Sequence, residues 1–313
     1  MRNAGQLHGQ LVDGVWRQIA RPASKEGHFN RVASAYLDTM DKSKFLDGDY
    51  TLIVSSACPW SHRITLLRQI YNLQKVLPLI EVNAVIDNNG WEFLSSEFDA
   101  KYLYELYQRT DKNYTGKVTV PVIWDRINQK IVCNESNEII NQILSFYPAD
   151  SIYNWRPEHL LSDIANWSDR IYEPVNNGVY RAGFASTQKA YDEAFFQLFE
   201  MLWSINQHLK RSEYLCGDRI TEADWRLFVT LVRFDAVYHT HFKCNAYRLS
   251  DYPVLFAYAR ELYQIPQVAE TVDFKAIKTH YFKSHKHLNP SGIIPKGPIV
   301  NWLAPHGRHI SYF

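Results

Sequence analysis

Cys58 is the residue of this chain best suited to covalent chemistry. The short apolar run Leu52 to Val54 predicts a buried strand, and apolar residues at helical spacing predict a helix over Ser61 to Tyr71. Pro59 suits a first helical turn, because the N–H that proline lacks would have no partner there. We therefore expect Cys58 at a helix N-terminus, where unpaired N–H groups and the helix dipole favour the thiolate, which is the nucleophilic form.

The residue three positions after Cys58 defines the kind of thiol chemistry. A dithiol oxidoreductase would place a second cysteine there, whereas this chain has Ser61. A single thiol can form a mixed disulfide, but an external thiol must then release it. The alternative interpretation is a small buried cysteine that only packs at a strand–helix junction.

The composition is that of an ordinary globular protein. The 313 residues are 46% hydrophobic and 21% charged, and 34 Lys and Arg balance 33 Asp and Glu to give a net charge of +1. This balance argues against a nucleic-acid partner or a membrane surface. The four cysteines are widely separated and lack metal-ligand spacing, which predicts no metal and a reducing compartment. With neither a long apolar run nor a signal-peptide core, the cytoplasm is expected.

The pattern of apolar residues divides the chain into four parts. Residues 1–45 predict an extended arm with a short helix near 32–40. Residues 46–147 alternate strands and helices in the order β-α-β-α-β-β-α, which is typical of a small α/β domain with a mixed sheet. Residues 155–283 predict an all-helical domain after a linker rich in Pro, Asp and Asn. Residues 284–313 predict a tail that packs on the body or on a partner.

Two local signals inside these domains are informative. Val120-Pro121 falls within a strand-like run, where proline fits either an edge strand or a cis bond that leaves a docking strip for an extended peptide ligand. Thr221 and Asp224 form a capping box that predicts the start of a helix, to which we assign no catalytic role. The predicted helices of the second half are His159–Asn177, Thr187–Leu209, Glu222–Tyr238, Val254–Gln264 and Asp273–Phe282.

Several longer motifs resemble those of the glutathionyl-hydroquinone reductases, the Xi class of the glutathione transferase superfamily. They extend over about residues 50 to 300 and comprise 58–60, 116–122, 134–136, 176–185, 221–227, 232–235, 241–245 and 280–282. The resemblance implies a thioredoxin-like α/β domain followed by an all-α domain, in a homodimer. It also implies that glutathione is the co-substrate: the cysteine takes the glutathionyl group from an S-glutathionyl-hydroquinone, and a second glutathione releases it as glutathione disulfide.

The resemblance implies roles for particular residues. Cys58 matches the nucleophile of the family, and Tyr180 matches the proton donor to the leaving aromatic carbon. Tyr238 and Tyr281 match two tyrosines that favour the thiolate and line an aromatic pocket. Residues matching the glutathione contacts are Trp91, Lys117, Val118, Thr119, Val120, Pro121, Glu135 and Ser136. Within this set the backbone near Val120 would pair with the cysteinyl residue of glutathione. Glu135 and Ser136 would bind the γ-glutamyl residue of glutathione. Taken alone, Trp91 could instead be a packing residue, and Glu135 and Ser136 an ordinary helix cap.

This chain departs from the family pattern at three positions near the expected site. Ser61 stands where the family has alanine, and its hydroxyl could form a local hydrogen bond. Lys117 stands where the family has arginine. This replacement removes a side chain that could donate two hydrogen bonds to one carboxylate. Cys133 replaces an asparagine and is either a passive small residue or a second thiol open to glutathionylation.

Two other functions fit the same residues. A general thioltransferase or dehydroascorbate reductase would use the same single thiol on other substrates. A non-catalytic glutathione-binding module would keep the fold without the reaction. The three tyrosines favour an aromatic substrate, and an intact Cys58 argues against the non-catalytic module.

Overall fold

The computed structural model describes residues 7–20, 24, 26–147 and 154–308. The chain divides into two compact units, and the first contains the described residues of Met1–Pro22, Arg31–Tyr147 and Lys275–Ile294. The second contains those of Ala23–Asn30, Pro148–Phe274 and Pro295–Phe313. The domain limits inferred from the sequence stay predictions. Among the described residues, no helix has both the length and the apolar character that a membrane span needs.

A mixed sheet forms the centre of the first unit, as the sequence predicted, but it has five strands rather than the expected four. Its strands are β3 (Tyr50–Val54), β4 (Leu79–Asp87), β5 (Gly90–Phe93), β6 (Val122–Asp125) and β7 (Lys130–Cys133), in the order β5-β4-β3-β6-β7. β3 and β4 are parallel, and the other neighbours are antiparallel. The buried β3 is the central strand. The residues that follow it therefore lie at one end of the sheet, in its middle.

Four helices of the first unit accompany this sheet. They are α1 (Lys42–Leu46), α2 (Pro59–Ile70), α3 (Leu103–Thr110) and α4 (Ser136–Phe146). Apolar spacing predicts a helix over 98–109, whereas α3 begins at Leu103, where the Glu105 carboxylate accepts from Tyr102 N–H at 2.8 Å. The unit also contains nearly all of α11 (Phe274–Ser284).

The amino-terminal arm is more ordered than the sequence analysis expected. β1 (Leu7–Val12) and β2 (Val15–Ala20) form an antiparallel hairpin, and the helix expected near 32–40 is absent from these described residues. Asp13 and Gly14 have φ values of 48° and 71°, which is the conformation that a tight two-residue hairpin turn needs. Leu37 forms a bridge with Cys133 of β7, so this part of the arm is extended because it pairs with the sheet edge.

The second unit is helical, as expected. Its helices are α5 (Leu161–Ile171), α6 (Gly178–Gly183), α7 (Gln188–His208), α8 (Glu222–Arg233), α9 (His239–His241) and α10 (Pro253–Gln264). Two helices predicted as continuous are interrupted by π-helical turns at Tyr172–Asn176 and Phe234–Tyr238. The predicted capping box is confirmed, since Thr221 N–H donates to Asp224 Oδ2 at 2.8 Å.

The described part of the tail after Ile294 packs on α10, within its own unit. Trp302 lies 5.7 Å from the Phe256 ring and 5.3 Å from the Tyr263 ring. Gln264 donates from Nε2 to Trp302 O at 2.8 Å, and Arg308 forms an ion pair with the buried Glu261. This part of the tail therefore packs on the body.

Candidate active site

Cys58 lies at the end of β3 and forms the N-cap of α2, with φ −77° and ψ 124°, and Pro59 occupies the first turn. This is the position that the sequence predicted. The thiol is 9% exposed and its Sγ lies 3.6 Å from the carbonyl oxygen of Val120. The helix N-terminus and a neighbouring backbone segment therefore meet at the sulfur.

The segment from Lys117 to Pro121 runs beside Cys58, and its Val120–Pro121 peptide bond is cis. Of the two interpretations that the sequence left open, the cis bond is therefore the one present. Tyr114 donates from its hydroxyl to Lys117 O at 3.1 Å, and Val118 and Val120 are buried. This segment presents a fixed edge of backbone next to the sulfur.

Glu135 and Ser136 lie at the start of α4. Glu135 is the N-cap, and its carboxylate accepts from Asn137 N at 3.3 Å and from Ser34 Oγ at 2.8 Å. Ser136 is buried, and its hydroxyl donates to Glu135 Oε1 at 3.4 Å. The pair therefore acts as a helix cap, and it also places a carboxylate beside the first N–H groups of a helix.

Trp91 and Tyr281 also belong to the first unit. Trp91 lies on β5, is 6% exposed and stacks on His280 with ring centroids 5.4 Å apart. Nδ1 of His280 in turn lies 2.7 Å from the carbonyl oxygen of Ala84. Tyr281 is buried, with its ring 5.6 Å from that of His285. The structure therefore gives Trp91 a packing role, and a contact with glutathione stays a prediction.

Trp60 and two arginines form a feature that the sequence analysis did not identify. The guanidinium groups of Arg31 and Arg63 lie 4.6 Å and 4.5 Å from the centroid of the Trp60 ring. Arg63 is 1% exposed and donates to Asn137 Oδ1 at 3.2 Å. Cation–π contacts stabilise such arrangements. Trp60 lies two residues after Cys58, whereas Arg31 is distant in sequence. A local sequence pattern therefore does not predict this stack.

The other three cysteines differ from Cys58 in their surroundings. Cys133 is fully buried, and burial raises its pKa to about 11. Burial likewise raises the pKa of Cys216 to about 11, and it raises the pKa of Cys244 further. A neutral buried thiol is a poor nucleophile. These observations favour the passive interpretation of Cys133 over a second glutathionylated thiol.

In the second unit, Tyr180 and Tyr238 belong to one aromatic cluster. Their ring centroids are 6.1 Å apart, and those of Tyr180 and Tyr238 lie 5.4 Å and 5.6 Å from that of Phe242. A Cβ placed on Gly183 would come within 2.2 Å of the Phe242 ring, so glycine permits this packing. The structure thus brings two of the three predicted tyrosines together and leaves Tyr180 half-buried.

The π-helical turns explain how these two tyrosines are placed. Tyr238 is the last residue of one turn, and Tyr180 follows the other by four residues. Asn176 fixes its turn by donating from Nδ2 to Arg226 O and to Thr230 Oγ1, both at 2.8 Å. Such turns often occur at functional sites. Apolar spacing does not reveal these turns, since it changes little over one inserted residue.

Ser61 behaves differently from expectation, and this gives a stability prediction. Its side chain is fully buried, and no hydrogen-bond partner for Oγ lies among the described residues, so the expected local bond is absent. A buried hydroxyl without a partner is destabilising. We expect Ser61→Ala to raise the free energy of unfolding by about 1 kcal/mol, measured by urea denaturation.

Ser43→Ala is the matched control for this measurement. The Ser43 hydroxyl donates to Asp41 at the N-terminus of α1, so its removal should lower stability. A loss of stability in Ser61→Ala would contradict the assignment of an unpaired hydroxyl.

Comparisons with known proteins agree with this arrangement. Residues 57–143 match the family model for the glutathione S-transferase N-terminal domain, and residues 188–261 match the C-terminal domain. The chain is 43% identical to the glutathionyl-hydroquinone reductase YqjG of Escherichia coli K12, over 97% of this chain and 99% of that protein. It is also 43% identical to the glutathionyl-hydroquinone reductase PcpF of Sphingobium chlorophenolicum, over 93% and 96%.

Solved structures extend this similarity to three dimensions. The glutathione-bound structure of YqjG matches with a TM-score of 0.83 at 42% identity, over 96% of this chain and 99% of that one. A Xi-class glutathione transferase from Natrialba magadii matches with a TM-score of 0.89 at 38% identity, over 96% and 98%. The chain therefore belongs to the glutathionyl-hydroquinone reductases, the Xi class of the glutathione transferase superfamily.

Proposed function

We propose that this protein reduces S-glutathionyl-hydroquinones to hydroquinones with glutathione as the co-substrate. The observation that carries the proposal is the single thiol of Cys58 at the N-terminus of α2, 3.6 Å from Val120 O. The relatives from Escherichia coli and Sphingobium chlorophenolicum carry the name of this activity, and each is 43% identical to this chain.

The reaction needs two exchanges at sulfur. The Cys58 thiolate attacks the substrate sulfur, a new S–S bond forms, and the bond from sulfur to the aromatic carbon breaks. That carbon takes the electron pair and a proton, so the hydroquinone leaves and Cys58 holds glutathione as a mixed disulfide. The thiolate of a second glutathione then attacks this disulfide, which yields glutathione disulfide and restores the Cys58 thiolate.

Glutathione binding is assigned to three parts of the first unit. The backbone of Val120 is proposed to pair with the cysteinyl residue of glutathione. The Glu135 carboxylate is proposed to accept hydrogen bonds from the ammonium group of glutathione. Ser136 and the N–H groups that begin α4 suit its γ-glutamyl carboxylate, since a helix N-terminus favours an anion. The other proposed contacts are Trp91, Lys117, Val118, Thr119 and Pro121.

Lys117 offers a direct test of this binding mode. An arginine presents a rigid pair of donors to a carboxylate, whereas lysine presents one flexible ammonium group. We expect Lys117→Arg to bind glutathione about threefold more tightly, measured by calorimetry. Lys112→Arg makes the same change at an exposed position and should leave affinity unchanged. Weaker binding by Lys117→Arg would contradict a carboxylate contact at this residue.

The aromatic cluster of the second unit suits an aromatic leaving group. Tyr180 is proposed to protonate the leaving carbon, while Tyr238 and Tyr281 are proposed to line the substrate pocket and favour the thiolate. Proton transfer by a positioned side chain accelerates such steps substantially. The cluster of Tyr180, Tyr238 and Phe242 is the feature that favours this reaction over general thiol transfer.

Substrate preference separates this proposal from the alternatives. We expect turnover of a glutathionyl-hydroquinone, with hydroquinone and glutathione disulfide formed in equal amounts by chromatography. Faster turnover of a glutathionyl mixed disulfide or of dehydroascorbate would favour the thioltransferase or dehydroascorbate reductase instead. Binding of glutathione without any turnover would favour the non-catalytic module.

We further propose that the protein is a homodimer and acts in the cytoplasm, where reduced glutathione is abundant. The four cysteines are free thiols, which suits a reducing compartment. Light scattering coupled to size-exclusion chromatography should give twice the chain mass of 36.6 kDa. A mass of one chain would contradict the dimer.

A further inference from the structure

We propose that Tyr107 is a positioning residue that holds the backbone beside Cys58 in the form that binds glutathione. The inference rests on the proposed function, because it concerns the same glutathione site. Tyr107 lies on α3, is fully buried and is assigned no contact with either substrate. Its action would pass through Thr119 and Asn134.

The Tyr107 hydroxyl holds both polar groups of the Thr119 backbone. It donates to Thr119 O at 3.0 Å and accepts from Thr119 N at 3.2 Å. The backbone N–H and C=O of Thr119 are therefore both held by one buried side chain. The next residue is Val120, whose carbonyl oxygen lies 3.6 Å from Cys58 Sγ. Holding Thr119 in place therefore restrains the carbonyl group that lies beside the sulfur.

The same hydroxyl is joined to the start of the γ-glutamyl region. Asn134 Nδ2 donates to Tyr107 OH at 3.0 Å, and Asn134 directly precedes Glu135. Asn134 also pairs twice with the arm: its N–H donates to Tyr36 O at 3.1 Å, and its Oδ1 accepts from Tyr36 N at 3.0 Å. One buried hydroxyl therefore connects the segment that precedes Val120 with the segment that precedes Glu135.

This connection explains how Tyr107 could affect glutathione binding without touching glutathione. A hydroxyl with one donor bond and two accepted bonds is fully used, so removing it breaks three hydrogen bonds, those to Thr119 O, Thr119 N and Asn134 Nδ2. The two proposed glutathione segments would then be joined only by the longer bond from Asn134 Nδ2 to Thr119 Oγ1, 3.4 Å, although neither loses a ligand-contacting side chain. Binding should weaken because the site is no longer held in shape before the ligand arrives.

The experiment compares Tyr107→Phe with Tyr50→Phe, both in a Cys58→Ser background that forms no mixed disulfide. Tyr50 is a suitable control because it is also buried in the first unit, and its hydroxyl accepts from Asp41 N at 2.9 Å near α1. Calorimetry with reduced glutathione should give a Kd about tenfold higher for Tyr107→Phe and within about twofold for Tyr50→Phe. Amide hydrogen exchange at Thr119 should accelerate only in Tyr107→Phe.

Each result has a defined meaning. Equal glutathione affinity in Tyr107→Phe and its Cys58→Ser parent would overturn this inference and leave the proposed function intact. A parent that binds no glutathione would overturn the proposed function and this inference with it. If Tyr107→Phe does not fold, Asn134→Ala replaces it; that change removes the bond to Tyr107 and also the side-chain bonds of Asn134 to Thr119 Oγ1 and Tyr36 N. An affinity loss of about threefold is then expected, and no loss would overturn the inference.

Discussion

Replacing Cys58 with serine is expected to abolish reduction of a glutathionyl-hydroquinone and the glutathione adduct on the protein. A serine hydroxyl is not ionised at neutral pH and does not form a disulfide, so the first exchange at sulfur cannot occur. Intact-protein mass spectrometry after mixing with the substrate should show one glutathione on the wild type. It should show none on Cys58→Ser, and chromatography should find no released hydroquinone.

Cys133→Ser provides the matched control for this experiment. It makes the same chemical change in the same unit, at a fully buried thiol whose pKa burial raises to about 11. We expect this variant to form the adduct and to keep at least about half of the wild-type activity. An adduct that persists in Cys58→Ser and disappears in Cys133→Ser would show that the nucleophile is Cys133.

Tyr180→Phe is expected to lower the rate of hydroquinone release by about 10²-fold or more. The change keeps the ring that packs against Tyr238 and Phe242 and removes only the hydroxyl. Without the proton donor, the aromatic carbon must leave as a more basic group, which slows the cleavage of its bond to sulfur. Single-turnover kinetics with excess enzyme would measure this step directly.

Two controls separate proton donation from a general structural effect. A glutathionyl mixed disulfide has a thiolate leaving group that needs no proton on carbon, so Tyr180→Phe should reduce it at the wild-type rate. Tyr191→Phe removes a hydroxyl that donates to Lys243 O at 2.7 Å in the same unit, and it should change neither rate by more than about twofold. Equal losses with both substrates would contradict the role of Tyr180 as the acid.

The sequence by itself determined the elements whose signals are local. Pro59 after an apolar strand placed Cys58 at a helix N-terminus, because proline without its N–H suits that turn. The capping box of Thr221 and Asp224 fixed the start of α8 for an equally local reason. The longer motifs indicated the family, and with it the order of an α/β domain and a helical domain.

Only the tertiary structure decided features that depend on distant partners. The hydroxyl of Tyr107 on α3 meets Thr119 and Asn134 because folding brings two loop segments to that helix, and the cis form of Val120–Pro121 is not fixed by its spacing. The arm near Leu37 is extended because it pairs with the edge strand at Cys133.

Burial also had to be observed rather than inferred from residue type. The sequence does not show how deeply Cys133 and Cys216 are buried, and burial raises the pKa of both thiols. The hydroxyl of Ser61 is unpaired within the described residues because its helix face is covered by the core. A charge or a polar group depends on the surroundings that folding provides, and those surroundings come from residues far along the chain.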